Sequence, residues 1–180
     1  MIQKLVLEYP GISYLSTLRK GIILMTVSNI QILLLRLTLG GLFLHLGIGK
    51  MSTGWLLAAD NLLNSLNNLH QTASGLQLTY IDSVAIPHAP LWSTLIALGE
   101  TAVGVSLLLG LLVRFSSLVG IFMLLNFHSV TGSLYSLNFF GSSSAALIIV
   151  SFLVLFLARG GRYVGLDVML AKVKPRSLLW

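Results

Sequence analysis

The chain has 180 residues, of which 56% are hydrophobic and only 9% charged, and its mean hydropathy is +0.92. A soluble domain carries about a quarter of its residues charged, so most of this surface meets lipid, and one compact membrane domain accounts for the length. The formal net charge of +6 sits beside apolar segments, which reads as topology signal and anionic-headgroup contact and not as a nucleic-acid footprint; the absence of cysteine excludes thiol catalysis, disulfide exchange, iron–sulfur ligation and cysteine-ligated zinc within the chain.

Residues 1–28 read as a cytoplasmic N-terminal segment. Glu8 and Pro10 interrupt its short apolar run and no small-residue cleavage site follows, so it is not a signal-peptide pattern. Residues 29–159 then hold four segments near the ~20 residues that a membrane-crossing helix needs. These are 29–50, 91–113, 115–135 and 143–159, with Arg114 in a tight turn between the second and third. The connection 51–90 is too long for a plain loop. Within 55–73, Trp55, Ala59, Leu62, Leu66, Leu69 and Ala73 recur at steps of four and three, and Asp60, Asn61, Asn64, Ser65, Asn68 and Gln71 take the other face. The pattern predicts an extra amphipathic helix in the first outer loop, with no Lys or Arg on its polar face, placed as a lid over the bundle. The run "IPHAP", Ile86 to Pro90, redirects the chain into the second span. Residues 160–180 read as a basic cytoplasmic tail. The fold class is therefore all-α integral membrane, a four-transmembrane-helix bundle.

Lys4, Arg19 and Lys20 precede the first span, Arg114 lies between the second and third, and Arg159, Arg162, Lys172, Lys174 and Arg176 follow the fourth. Lys50 is the one cation in the other two connections. The excess of Lys and Arg marks the cytoplasmic side, so both termini are expected inside the inner, cytoplasmic membrane. The small residues Gly40 and Gly47 of the first span, and Gly99, Ala102, Ser106 and Gly110 of the second, read as packing seams.

Four ionisable side chains fall within spans: Arg36, His45, Glu100 and His128. At 1.5 Å per residue, Glu100 and Asn126 lie ~15 Å below the outer surface, His128 ~12 Å, His45 ~8 Å and Arg36 ~21 Å. Glu100 then has two readings. One is a structural ion pair with Arg36, which neutralises both charges. The other is a carboxyl that gives and takes protons at a functional site. His128 is the second catalytic candidate, and His45, Glu100, Asn126 and His128 are the candidates for hydrogen bonds to a quinone ring. Asn126 is otherwise an interhelical bond, and His45 a boundary residue. His70 and His88 read as loop residues. No two histidines stand at i, i+4 on one helix, so no metal is expected and a haem is disfavoured.

Three stretches in order carry a resemblance. "LLRLTLGGLFLHLGIGKM", "GETAVGVSLLLGLLVRFSSLVG" and "FLARGGRYVGLDVML" resemble the first helix, the second helix and the C-terminal end of DoxX-like membrane proteins. Arg36, Lys50, Glu100, Arg114, Arg162 and Asp167 match the family pattern, whereas His45 and His128 are not part of it. The resemblance implies a four-helix membrane bundle in which Arg162 and Asp167 tie down the cytoplasmic end. It also implies the company of the small membrane subunits of thiosulfate:quinone oxidoreductases and of accessory subunits in membrane redox assemblies.

Three functions are consistent with these residues. The first is a small accessory subunit of a larger photosynthetic or respiratory complex, with the lipid bilayer and membrane proteins as partners. The second is a quinone-linked oxidoreductase subunit in which Glu100 and His128 handle protons; the chain carries no covalent cofactor, so its electron donor comes from elsewhere. The third is a small transporter, which the lack of visible inverted repeats disfavours. An open apolar cavity beside Glu100 and His128 is the expected mark of quinone handling, and direct packing of Glu100 in an ion pair is the mark of a structural subunit.

Overall fold

The computed structural model describes residues 10–56, 58–136, 139, 143–162, 164–174 and 179, with the side chains of 10–28 and of 143 left aside. Lys4 and Arg176, the side chains of Arg19 and Lys20, and part of the second outer connection, all of which bear on the expected topology, lie outside that description. Among the described residues every regular element is helical. The α-helices are α1 (Pro10–Ser52), α2 (Asp60–His70), α3 (Gly75–Tyr80), α4 (Ala89–Leu109), α5 (Val113–Val130), α6 (Ser143–Ala158) and α7 (Asp167–Val173). A wider π turn over Ile81–Ala85 follows α3, and a 3-10 turn over Ser133–Tyr135 follows α5.

Three helical stretches are long and apolar enough to cross a membrane: Asn29–Ser52 of α1, α4 and α5. The 16-residue α6 is apolar too but shorter. The expected boundaries shift in physically readable ways. α1 runs 43 residues without a break, ~65 Å of helix, about twice the hydrocarbon thickness, so its first half extends past the apolar stretch. The third predicted span ends at Val130 and not at 135, because Gly132 takes a left-handed conformation (φ 75) that a helix cannot continue through. The turn between α4 and α5 is residues 110–112, so Arg114 stands in the first turn of α5 and not in the connection. Pro90 lies in the first turn of α4, where its missing N–H costs nothing.

α1 packs along α4, α4 on α5, α5 on α6, and α6 returns to α1, which closes a ring. Glycines set the closest approach. A Cβ on Gly104 would fall 2.7 Å from Leu44 Cα, and one on Gly47 2.5 Å from the Thr101 nitrogen. The α1–α4 seam is therefore reciprocal, one glycine from each helix, with Gly40 set against Leu107 and Leu108. Gly99 faces Met123 of α5 instead. Within the ring, Leu39, Phe43, Val103, Leu107, Val113, Phe152 and Leu155 form the core, with the Phe43 and Phe152 rings edge to face at 5.1 Å. Large apolar side chains on the outer faces, such as Leu34, Leu98, Phe122 and Leu157, are exposed, as a lipid-facing surface requires.

α2 covers a shorter stretch than the predicted 55–73. Its apolar side turns onto protein: buried Leu66 packs with Ala85 and Ala89, and Val130 joins from α5. The exposed Asn64, Ser65 and Asn68 face away. His70 closes the end of α2 by pairing with Asp82 at 2.9 Å.

At the opposite end a knot forms from three connections. Asp167, buried, accepts the N–H of Leu112 at 2.7 Å and of Val113 at 3.1 Å. It thereby caps α5, whose preceding residue Leu112 is left-handed (φ 54). Its own N–H donates to the Gly110 carbonyl at 2.9 Å. Burial pushes the Asp167 carboxyl up from the usual range, and the two backbone N–H groups, Arg36 and Arg162 draw it back. Arg36, 2% exposed, donates to the Gly160 carbonyl at 3.1 Å and also to that of Val164.

Candidate functional site

Glu100 sits on α4 and Lys50 near the end of α1. Lys50 Nζ lies 2.6 Å from Oε2 and 2.8 Å from Oε1 of Glu100. The two side chains are 24% and 13% exposed. The glycine seam produces this meeting: with Gly47 against Thr101 and Leu44 against Gly104, the last turn of α1 is level with the middle of α4. The first two turns of α4 stand higher and receive the chain leaving α1. Buried Ser93 donates from Oγ to the Trp55 carbonyl at 2.7 Å. That bond fixes Trp55 so that Lys50 Nζ lies 5.6 Å from its ring centroid, within cation–π reach. Thr101 stands beside the pair, its hydroxyl donating to the Ala97 carbonyl at 2.8 Å.

The expected Arg36–Glu100 pair does not form. Arg36 is taken by the carbonyls after α6, and Lys50 takes Glu100. The axial estimate placed Lys50 at the outer surface with Glu100 ~15 Å below it, but that assumed helices starting level. The stagger of α1 against α4 removes the difference. Lys50 was legible as a family-pattern position and as the lone outer cation, which was the available signal for its role.

The other candidates do not converge on this pair. His128, in the last turn of α5, bonds from Nδ1 to Ser133 Oγ at 2.7 Å, and its ring meets those of Phe127 and Phe139 edge-on. It belongs to the rim, because α5 ends five residues sooner than expected. Asn126 donates to the Phe122 carbonyl at 2.8 Å and accepts the hydroxyl of Tyr80. Tyr80 was not among the sequence candidates. Burial, with Tyr135 nearby, raises the Tyr80 phenol above its ordinary value and keeps it a donor. His45 points outward from α1, exposed. Among the described residues no three His, Asp or Glu side chains gather as a metal-ligating group.

Two cavities adjoin the pair without including it. One, about 200 Å³, lies between Trp55, Leu56, Ala58, Ala59 and the first turns of α4 at Pro90 and Thr94. The other, about 220 Å³, opens between α4 and α5 and is lined by Gly99, Ala102, Val103 and Ser106 on one side and by residues from Leu111 to Val119 on the other. Ser106 and Ser116 share a hydrogen bond of 2.5 Å in its wall. Neither Glu100 nor His128 lines either cavity.

No curated protein and no solved structure is similar to this chain at a significant level. The DoxX family model matches residues 31–132, the stretch from the apolar part of α1 through α5 that contains both halves of the Lys50–Glu100 pair and the glycine seam that aligns them. On that match, over more than half its length, the chain belongs to the DoxX family of helical membrane proteins.

Proposed function

We propose that this protein is a small accessory membrane subunit of a larger respiratory or photosynthetic redox assembly, which it stabilises or in which it shapes a quinone or lipid site. One observation carries the reading: the carboxylate of Glu100 is held in direct contact with Lys50 and lines neither of the two cavities beside it. A residue that exchanges protons with a substrate needs a path to it, and here the ion pair is packed between two helices under Trp55. In this proposal α6 is a fourth crossing: 16 residues make ~24 Å of helix, a few ångströms short of the hydrocarbon layer. Both termini then lie on the cytoplasmic side of the inner membrane, and α2 covers the outer end of the ring.

The second reading, a quinone-linked subunit, has one observation in its favour. The α4–α5 cavity is apolar, begins at Gly99 next to Glu100 and carries two hydroxyls. A quinone site combines an apolar slot with a few hydrogen-bonding groups. Gentle solubilisation followed by native electrophoresis and quinone extraction separates the two. The accessory reading expects wild-type protein in a larger assembly, with Glu100→Gln altering only its integrity. If the isolated chain retains quinone, and folded Glu100→Gln loses it, the accessory reading is overturned and the carboxylate is a ligand-site residue.

A further inference from the structure

The knot end of the bundle carries more positive charge than its own acids balance. Arg114, in the first turn of α5, leans on α6: its Nε donates to the Phe156 carbonyl at 3.1 Å, and its guanidinium lies 4.4 Å from the Phe156 ring centroid. One terminal nitrogen, Nη1, is buried without a hydrogen-bond partner among the described residues. Arg159 follows α6 directly, is exposed, and adopts a left-handed backbone (φ 52). The Arg162 N–H donates to the Arg159 carbonyl at 2.9 Å, so both side chains leave one tight turn. The charges of Arg159 and Arg162 act on Arg114. The carboxylate facing this group is Asp167, which it shares with Arg36 and which is already engaged by two backbone N–H groups. Like charges held together at the edge of an apolar body are unfavourable unless an anion joins them.

From this cluster an apolar track leads into the bundle's outer surface. Leu118 and Phe122 repeat at four-residue steps from Arg114 and are exposed, as is Leu157 on the neighbouring α6. We propose that Arg114, Arg159 and Arg162 bind the headgroup phosphate of an anionic phospholipid whose acyl chains lie along Leu118, Phe122 and Leu157. Charge complementarity selects the headgroup, and the track selects a lipid over a free anion. Guanidinium groups suit the task, since their forked N–H donors match phosphate oxygens.

The test is native mass spectrometry of delipidated protein in a non-ionic detergent, titrated with dioleoyl phosphatidylglycerol or dioleoyl phosphatidylcholine. Wild-type protein is expected to retain one phosphatidylglycerol in preference to phosphatidylcholine. Arg159→Gln and Arg114→Gln are each expected to weaken that retention about fivefold, while Lys172→Gln on α7 leaves it unchanged. Among the described residues Arg159 makes no side-chain hydrogen bond, so its variant decides the matter if Arg114→Gln does not fold. Equal retention of the two lipids overturns the proposal. So does a Lys172→Gln loss as large as that of Arg159→Gln, which would mean diffuse attraction. Displacement of the lipid by millimolar inorganic phosphate would mark a free-anion site and overturns it as well.

Discussion

Replacing Lys50 by Met removes the cation from Glu100 and leaves the carboxylate, 13% exposed, between two apolar helices. Breaking a fully buried pair by removing one partner costs about 3–5 kcal/mol. Because the Lys50 side chain is 24% exposed, the pair is not fully enclosed, and the loss is expected at about 2 kcal/mol. Glu100→Met is milder, about 1 kcal/mol, since a lysine at a helix end can extend its ammonium toward the interface. The double variant, with Met at both positions, buries no charge and is expected within about 1 kcal/mol of wild type. The sum of the two single losses then exceeds the double by at least about 2 kcal/mol, which is the coupling energy of the pair. Unfolding in mixed micelles by titration with sodium dodecyl sulfate, followed by circular dichroism, measures all four proteins. A coupling below about 0.5 kcal/mol, the additive limit for independent sites, would refute the assignment of Lys50 as the residue that makes Glu100 tolerable in the membrane.

The glycine seam predicts contrasting outcomes at glycines inside and outside it. Gly47→Ala and Gly104→Ala bring a Cβ to within 2.5 Å of facing backbone and are expected to lose about 1–3 kcal/mol in the same titration. Gly41→Ala and Gly49→Ala meet nothing within 4 Å and are expected to be neutral or to gain up to about 1 kcal/mol from helix propensity; a loss at all four would show that the seam is misplaced. Asp167→Ala removes the acceptors of the Leu112 and Val113 N–H groups and is expected to cost about 1–3 kcal/mol, whereas Asp167→Asn, keeping one acceptor, loses less. Lastly, the chain has no cysteine, so single-cysteine variants report topology without background. In intact cells a membrane-impermeant maleimide is expected to label Thr72→Cys and spare Lys172→Cys, and equal labelling would contradict the proposed orientation.

Much of the architecture could be read from residue order. Apolar runs of about 20 residues located the apolar stretches of the three long helices to within about five positions, though not the first 19 residues of α1, because hydropathy measures what a segment's solvent must be. The steps through Leu62, Leu66 and Leu69 fall on α2, a shorter helix than the expected 55–73, in which Leu66 is buried. Asp167, one of the two residues with Arg162 for which the family resemblance implied a tie-down, accepts the N–H groups that open α5.

The candidate site was less legible. Counting residues gives depth along one helix, but it gives neither the rotation of that helix nor its stagger against the next. Rotation turned His45 outward and sent Asn126 to Tyr80. An early helix end moved His128 to the rim, where it meets Ser133.

Sequence by itself determined that this is a helical membrane protein, where its apolar helices run, and that Glu100, a costly charge within a span, calls for either an ion-pair partner or a proton-handling role. Only the tertiary structure decided that the partner is Lys50. Gly47 and Gly104 let α1 and α4 approach until their backbones touch, and that contact sets the stagger that brings Lys50 level with Glu100 and leaves Arg36 to the carbonyls of Gly160 and Val164.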